Sequence, residues 1–316
     1  MTLQITQAGT LSLIQDLGRF GYQDVGVTSG GPMDKHAFYW ANRLLDNPPN
    51  ASQIEITMGP FRAVFEKSTT FSICGAEVAA KLNNQIISNW HSWVAKSGDI
   101  LTLSYSKKGL RTYFAIAGGF DIPKTLGSTS TVVRDGFGGV TQQGEKLRDG
   151  DILTYQPNVI GYYRSVLKQF IPDYADTLQI GVLPTYQFDK FDKEAINTFF
   201  SQVYTVSPLI DRMGYRLNGA TINFPQQHFI SEGIVPGSIQ IPANGQPIVL
   251  MRDRQTIGGY PKIGCVCNRD LNLLAQATPD TKVQFFYKIF SKLKQNSNKN
   301  SNIFLAYNVI WYCQVM

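Results

Sequence analysis

Two stretches of this chain gather side chains able to orient a polar substrate. The first runs Gln15-Asp16-Leu17-Gly18-Arg19-Phe20-Gly21-Tyr22, continues to Gly26-Val27, and then reads Ser29-Gly30-Gly31-Pro32-Met33-Asp34. Glycines around an Asp/Arg pair suit a tight loop whose backbone approaches a ligand while its charges hold a polar group. A turn-rich connection between strands with a surface ion pair has the same composition, and spacing alone leaves the two readings even. The second stretch runs from Ser231-Glu232-Gly233 through Ser238-Ile239-Gln240-Ile241 to an apolar strand, Ile248 to Met251, and on to Asp253-Arg254-Gln255-Thr256-Ile257-Gly258-Gly259-Tyr260-Pro261-Lys262. Such a strand sets several hydrogen-bonding groups at one end, where sites on β scaffolds commonly lie. Ala117-Gly118-Gly119-Phe120-Asp121 with Leu126 to Ser130, and Asp211 to Leu217, share this polar-plus-glycine character.

Several chemistries lack their residues. No G-x-S-x-G elbow occurs, and His36, His91 and His228 are too scattered for a metal or a nucleophile–base pair. No C-x-x-C pair occurs among Cys74, Cys265, Cys267 and Cys313, and these thiols read as buried; Cys265 and Cys267 would share one face of a strand. The segment Gly119 to Thr125 lacks the second glycine of a phosphate-binding loop, and no Met precedes a Lys as a biotin attachment site requires. Any biotin is therefore carried by another chain. Asp16/Arg19 and Asp253/Arg254, with Gln240, Gln255 and Thr256, suit orienting an amide-like substrate and stabilising an oxyanion better than nucleophilic attack.

The elements that must hold these groups are mostly strands. Short apolar alternations such as Leu3/Ile5, Leu11/Leu13, Ile54/Ile56/Met58, Phe71/Ile73, Leu101/Leu103/Tyr105 and Ile239/Ile241 are separated by Gly, Asp, Asn and Ser. Two segments carry a helical period instead. Ala37, Trp40, Ala41, Leu44 and Leu45 follow a capping Asp34 and precede Asn47-Pro48-Pro49; Phe191, Ala195, Ile196 and Phe199 form the other. The formal charge of +6 resides largely in lysines after Asp280, so the body offers no basic stripe for a nucleic-acid backbone. The first residues, Met1 to Thr6, contain neither a signal peptide nor a membrane span, which predicts a cytoplasmic protein. The polar run from Gln295, followed by Ile303 to Trp311, reads as an altered or disordered terminus.

In order and spacing, Gln15 to Gly26, Gly30 to Asp34, Gly118 to Ser130, Arg212 to Leu217 and Ser231 to Lys262 resemble the family of biotin-dependent carboxyltransferases and 5-oxoprolinase C subunits. That family includes relatives of allophanate hydrolase subunit 2 and of the KipI antagonist, KipA. The resemblance implies a mainly β fold of cyclophilin-like β-barrel subdomains with a few short helices. It divides the chain into an N-terminal subdomain 1–157, a connection 158–176, a C-terminal subdomain 177–290 and an atypical tail 291–316. It further implies the C subunit of an ATP-dependent 5-oxoprolinase, inactive alone, which helps open the 5-oxoproline lactam to glutamate with a KipI-like B subunit and a LamB/YcsF-like A subunit. ATP then serves the complex. Two alternatives stand beside it: the carboxyltransferase component of a biotin-dependent urea or amide carboxylase, and a KipA-like regulator that antagonises a kinase inhibitor. On the first reading Asp16 and Arg19 position polar groups, Gln255 and Thr256 donate to the oxyanion, and Lys262 neutralises charge. Gly30, Met33, Asp34, Gly118, Gly119, Arg212, Glu232, Gln240, Asp253, Gly258, Gly259 and Tyr260 then line the substrate, with no metal.

Overall fold

A computed structural model describes residues 1–224 and 230–288. The expected tail, with Ile303 to Trp311 and Cys313, lies outside the described residues, as does His228. The alternating stretches form strands, and the chain is mainly β with a few short helices. Residues 2–154 build a nine-stranded sheet whose backbone is two long strands, Thr69–Leu82 and Ile100–Ile116, paired antiparallel. The strand Ile100–Ile116 is long enough to serve two further neighbours, Gln53–Thr57 near its end and Phe61–Phe65 near its start. Register shifts after Gly75 bend the pair. A Cβ at Gly75 would lie 2.3 Å from the Arg111 carbonyl oxygen, and its φ is 96°, so only glycine admits this approach.

Residues 177–287 close into a seven-stranded barrel, in which Thr177–Pro184 pairs antiparallel with Lys262–Val266 and parallel with Lys282–Tyr287. Closure leaves no free edge in this half. A two-stranded ribbon, Glu232–Gly233 with Ile257–Gly258, stands off the barrel. Between the two sheets, residues 158–176 hold one 3-10 turn, Lys168–Phe170.

Both expected helices form, each where an aspartate caps it. Asp34 accepts from the His36 and Ala37 amides at 3.0 and 3.1 Å and opens α1, Lys35–Arg43. Ala37, Phe38 and Ala41 bury one face of α1 against the long strand pair. Asp192 caps α2, Lys193–Ser201, through the Ala195 amide at 2.7 Å. Phe199 of α2 enters the barrel core and stacks on Phe285 with ring centroids 4.5 Å apart. A third helix, α3 (Asn268–Leu274), was not expected: it is seven residues long and starts at Cys267 without a side-chain cap. Cys267 therefore leaves the strand that holds Cys265, and the two thiols do not share a strand face. Met58 also departs from the alternation, taking a left-handed turn at φ 63° just past Gln53–Thr57.

Phe199 is fully buried, so Phe199→Ala should cost about 3–5 kcal/mol of stability, read from the urea unfolding midpoint. A cost below about 1 kcal/mol would show that α2 is peripheral to the barrel.

Candidate functional site

The junction of the two sheets is built on a carboxylate hidden inside an apolar alternation. In Gln53–Thr57, Ile54 and Ile56 face the sheet's core, which turns Glu55 to the other face; it is 1% exposed. Its cross-strand neighbour is Tyr113, whose hydroxyl donates to Glu55 Oε2 at 2.7 Å and accepts the Asp34 amide at 2.7 Å. Burial, with Glu55 and Asp34 nearby, pushes the Tyr113 phenol well above its ordinary range, so it stays a neutral donor. Glu55 Oε2 also accepts the Met33 amide at 2.8 Å.

The barrel supplies the opposing cation. Asp211 Oδ1 accepts from the Met213 and Gly214 amides at 2.7 and 3.0 Å, an Asx turn that presents Arg212 to the other half. Arg212 Nη1 meets Glu55 Oε1 at 2.5 Å, and its Nε and Nη2 grip both oxygens of Asp253 at 2.8 Å. Nη2 also donates to the Gly31 carbonyl at 2.7 Å. Burial opposes the Arg212 cation, but Asp253 and Glu55 outweigh it and hold the guanidinium above its ordinary value. Asp253 is thus committed to Arg212 and makes no pair with the adjacent Arg254. Arg111 and Gln276 complete the junction: Arg111 Nη1 donates to the Tyr215 hydroxyl at 2.6 Å, and Gln276 Nε2 donates to Asp34 Oδ2 at 2.8 Å.

Around this bolt lie two polar groups that sequence reasoning singled out. Asp16 and Arg19 are both buried and are not the surface ion pair of the plainer reading. Asp16 accepts from Gly18 N, Ser128 Oγ, Ser130 Oγ and Thr129 N at 2.5–2.9 Å, which ties the first glycine loop to residues 128–130. Arg19 Nη2 donates to the Ser130 carbonyl at 2.6 Å, while Nη1, buried beside Gly30, has no partner among the described residues. Burial pushes this guanidinium below its ordinary value despite Asp16, Asp253 and Asp135.

The second group sits at the ribbon. Lys262 pairs with Glu232, and Gln187 Nε2 donates to the same carboxylate oxygen at 2.5 Å. A Cβ on Gly258 would lie 3.1 Å from Gln240 Nε2 and 3.5 Å from Gln255 Nε2, so both amides crowd one face of the ribbon. Gln240 Nε2 is buried without a partner among the described residues. The two groups connect through the strand exit: Thr28 Oγ1 donates to the Arg254 carbonyl at 3.1 Å, and Arg254 Nε donates to the Ile234 carbonyl at 3.0 Å beneath the ribbon.

The structure thus joins Asp16, Arg19, Gly30, Met33, Asp34, Arg212 and Asp253 along the junction, and Glu232, Gln240, Gln255, Gly258 and Lys262 at the ribbon. Gly118 and Gly119 lie instead against the end of α1, where the Gly118 amide donates to Asn47 at 2.7 Å. Thr256 uses its carbonyl to pair with the Ile234 amide at 2.9 Å, and Tyr260 beside Gly259 is half exposed. Glu55, Tyr113, Arg111, Gln187, Arg252 and Gln276 were missed. For Glu55 a signal existed: a carboxylate between two core isoleucines must face something other than water or that core.

The class that these observations define is a mainly β protein in which a sheet meets a closed barrel across a seam that holds buried N–H groups. The chain belongs to the family described as carboxyltransferase domain, subdomain A and B, whose model matches residues 25–287. It is 36% identical to the 5-oxoprolinase C subunit of Escherichia coli K12 and 33% identical to that of Haemophilus influenzae, each match covering 90% of both chains. The solved urea carboxylase of Kluyveromyces lactis superposes with a TM-score of 0.86 at 26% identity, over 94% of this chain and 28% of that one. This chain spans little more than a quarter of that enzyme.

ATP and biotin can be tested against these residues. Asp34 and Asp192 occupy the amino ends of α1 and α2, so neither end is open to a phosphate. The unpartnered Arg19 Nη1 and Gln240 Nε2 suit a carbonyl acceptor, which the ureido group of biotin possesses.

Arg212→Met should cost about 3–5 kcal/mol, because it strands two buried carboxylates. In a double-mutant cycle read by urea unfolding, adding Glu55→Gln should recover part of that loss. Strict additivity would show that the two residues do not act as one unit.

Proposed function

We propose that this chain is the C subunit of an ATP-dependent 5-oxoprolinase, a cytoplasmic multi-chain hydrolase that opens the 5-oxoproline lactam to glutamate and is silent without its A and B subunits. The likeness to two curated 5-oxoprolinase C subunits over nine-tenths of both chains carries this reading. The unpartnered buried donors support it. A lactam carbonyl oxygen gains negative charge as water adds, and preplaced N–H groups at that point lower the barrier. Arg19 Nη1 and Gln240 Nε2 are donors of that kind, Gln255 adds a second amide, and Lys262 with Glu232 braces the ribbon that holds them. Asp16 positions Arg19 by fixing the loop whose Ser130 carbonyl the guanidinium grips. ATP enters through another chain.

The carboxyltransferase reading has its own support in the family model and in the urea carboxylase superposition. Arg19 and Gln240 would then hold the carbonyl of a biotin delivered by another chain, which supplies the transferable carboxyl group.

The complex of all three chains should release glutamate from 5-oxoproline only with ATP, and this chain alone should release none. Steady release by the isolated chain would refute the need for partners, and ATP-dependent carboxylation of urea without 5-oxoproline turnover would favour the second reading. Within the active complex, Arg19→Ala should lower kcat/KM by roughly 10- to 150-fold, the worth of a hydrogen bond to a charged group at about 1.5–3 kcal/mol. Unchanged kcat/KM would leave Arg19 a purely structural residue.

A further inference from the structure

The strand exit that delivers Asp253 also delivers two arginines with no acidic partner among the described residues. Arg252 and Arg254 flank Asp253 and are 4% and 2% exposed. Arg252 Nε donates to the Pro32 carbonyl and Arg254 Nε to the Ile234 carbonyl, both at 3.0 Å. Those acceptors are neutral. Among the described residues neither guanidinium forms an ion pair, since Asp253 and Glu55 are taken by Arg212. Arg254 Nη1 is buried without a partner among the described residues.

Lys35, the first residue of α1, lies three positions beyond Pro32 and is partly exposed. Burial, then the charges of Arg252 and Arg254, push the Lys35 ammonium well below its ordinary value. Burial also pushes Arg252 and Arg254 down to about 10 each, which leaves both charged at neutral pH. Burying two guanidinium cations with no direct ion pair among the described residues is unfavourable, and an arriving anion would offset that cost.

We propose that Arg252 and Arg254 form a subsite for the carboxylate of a small substrate. This rests on the 5-oxoprolinase reading, since 5-oxoproline carries one carboxylate beside its lactam. A guanidinium presents a planar fork that matches the two carboxylate oxygens, and the free Nη1 edge of Arg254 supplies its first bond. The lactam carbonyl would then meet Arg19 and Gln240 while the carboxylate is held apart from them. The subsite selects acidic lactams over neutral ones.

The test is calorimetric titration of the full chain with 5-oxoproline, with the neutral lactam 2-pyrrolidinone, and with inorganic phosphate. 5-Oxoproline should bind at least tenfold more tightly than either. Arg254→Gln should weaken 5-oxoproline by roughly 10- to 100-fold and leave 2-pyrrolidinone unchanged, while Arg254→Lys should recover part of the loss. Far-UV circular dichroism and the melting temperature identify variants that fail to fold, in which case Arg252→Gln provides the same comparison. Equal affinity for the two lactams, wild-type affinity in folded Arg254→Gln, tighter binding of phosphate, or no binding of 5-oxoproline would overturn the subsite. Activity of the assembled complex separates the two ideas. Turnover with an Arg254-independent affinity leaves the 5-oxoprolinase reading standing and removes the subsite; Arg254-dependent binding without turnover does the reverse.

Discussion

One guanidinium ties three segments together where the two halves of this protein meet. Arg212 reaches from the barrel to Glu55 in the sheet, closes a two-bonded fork on Asp253, and holds the Gly31 carbonyl of the first glycine loop. Its three partners belong to three separate segments, so one side chain sets the junction, the strand exit and the loop together. Buried ion pairs of this kind rarely add much net stability over apolar packing, because desolvation consumes most of the attraction. They do penalise misplacement heavily: a shifted half would take the Arg212 cation away from the buried Glu55 carboxylate.

The same arithmetic of charge shapes the seam beside the bolt. The carboxylates of Asp16, Asp34, Glu55 and Asp253 are each consumed by internal donors. What is left over is a set of buried cations and N–H groups: Arg19, Arg252, Arg254 and Gln240. A surface region arranged for stability alone would pair them. Unpartnered N–H groups such as Arg19 Nη1, Arg254 Nη1 and Gln240 Nε2 suit a ligand that brings its own oxygens. This reasoning also reassigns several residues that the sequence put beside the substrate. Asp34, Arg212 and Asp253 have no free oxygen or N–H pattern left to offer, and they act by placing the loop and the strand exit.

Family membership and chemistry carry different weight here. The carboxyltransferase model and the urea carboxylase superposition define the scaffold. They do not choose between an amide that is cleaved and one that is carboxylated, because both chemistries require the same donors around a carbonyl. The distinction depends on what else the substrate carries. Two buried arginines at the strand exit would suit an acidic substrate, and this is a property of side chains rather than of the fold.

By itself the sequence determined features whose physics is local. Alternation with a period of two marked the strands, and Asp34 marked the start of α1 because a carboxylate satisfies amides two and three residues away. The glycine motifs were equally legible, since each needs only its neighbours. Helix α3 escaped because seven residues without a cap leave too little periodicity to read. Which polar groups meet was decided only by the tertiary structure. Glu55 and Arg212 are 157 positions apart, and Asp34 and Gln276 are 242 apart. No local pattern encodes such pairs; they exist because the bent sheet and the closed barrel press two particular faces together. The adjacent Asp253 and Arg254 illustrate the same point from the other side. Neighbours in sequence, they reach different partners, because the chain turns at residues 252 and 253 just past the strand Ile248–Leu250. Asp253 turns to Arg212, and Arg254 turns toward the ribbon at Ile234.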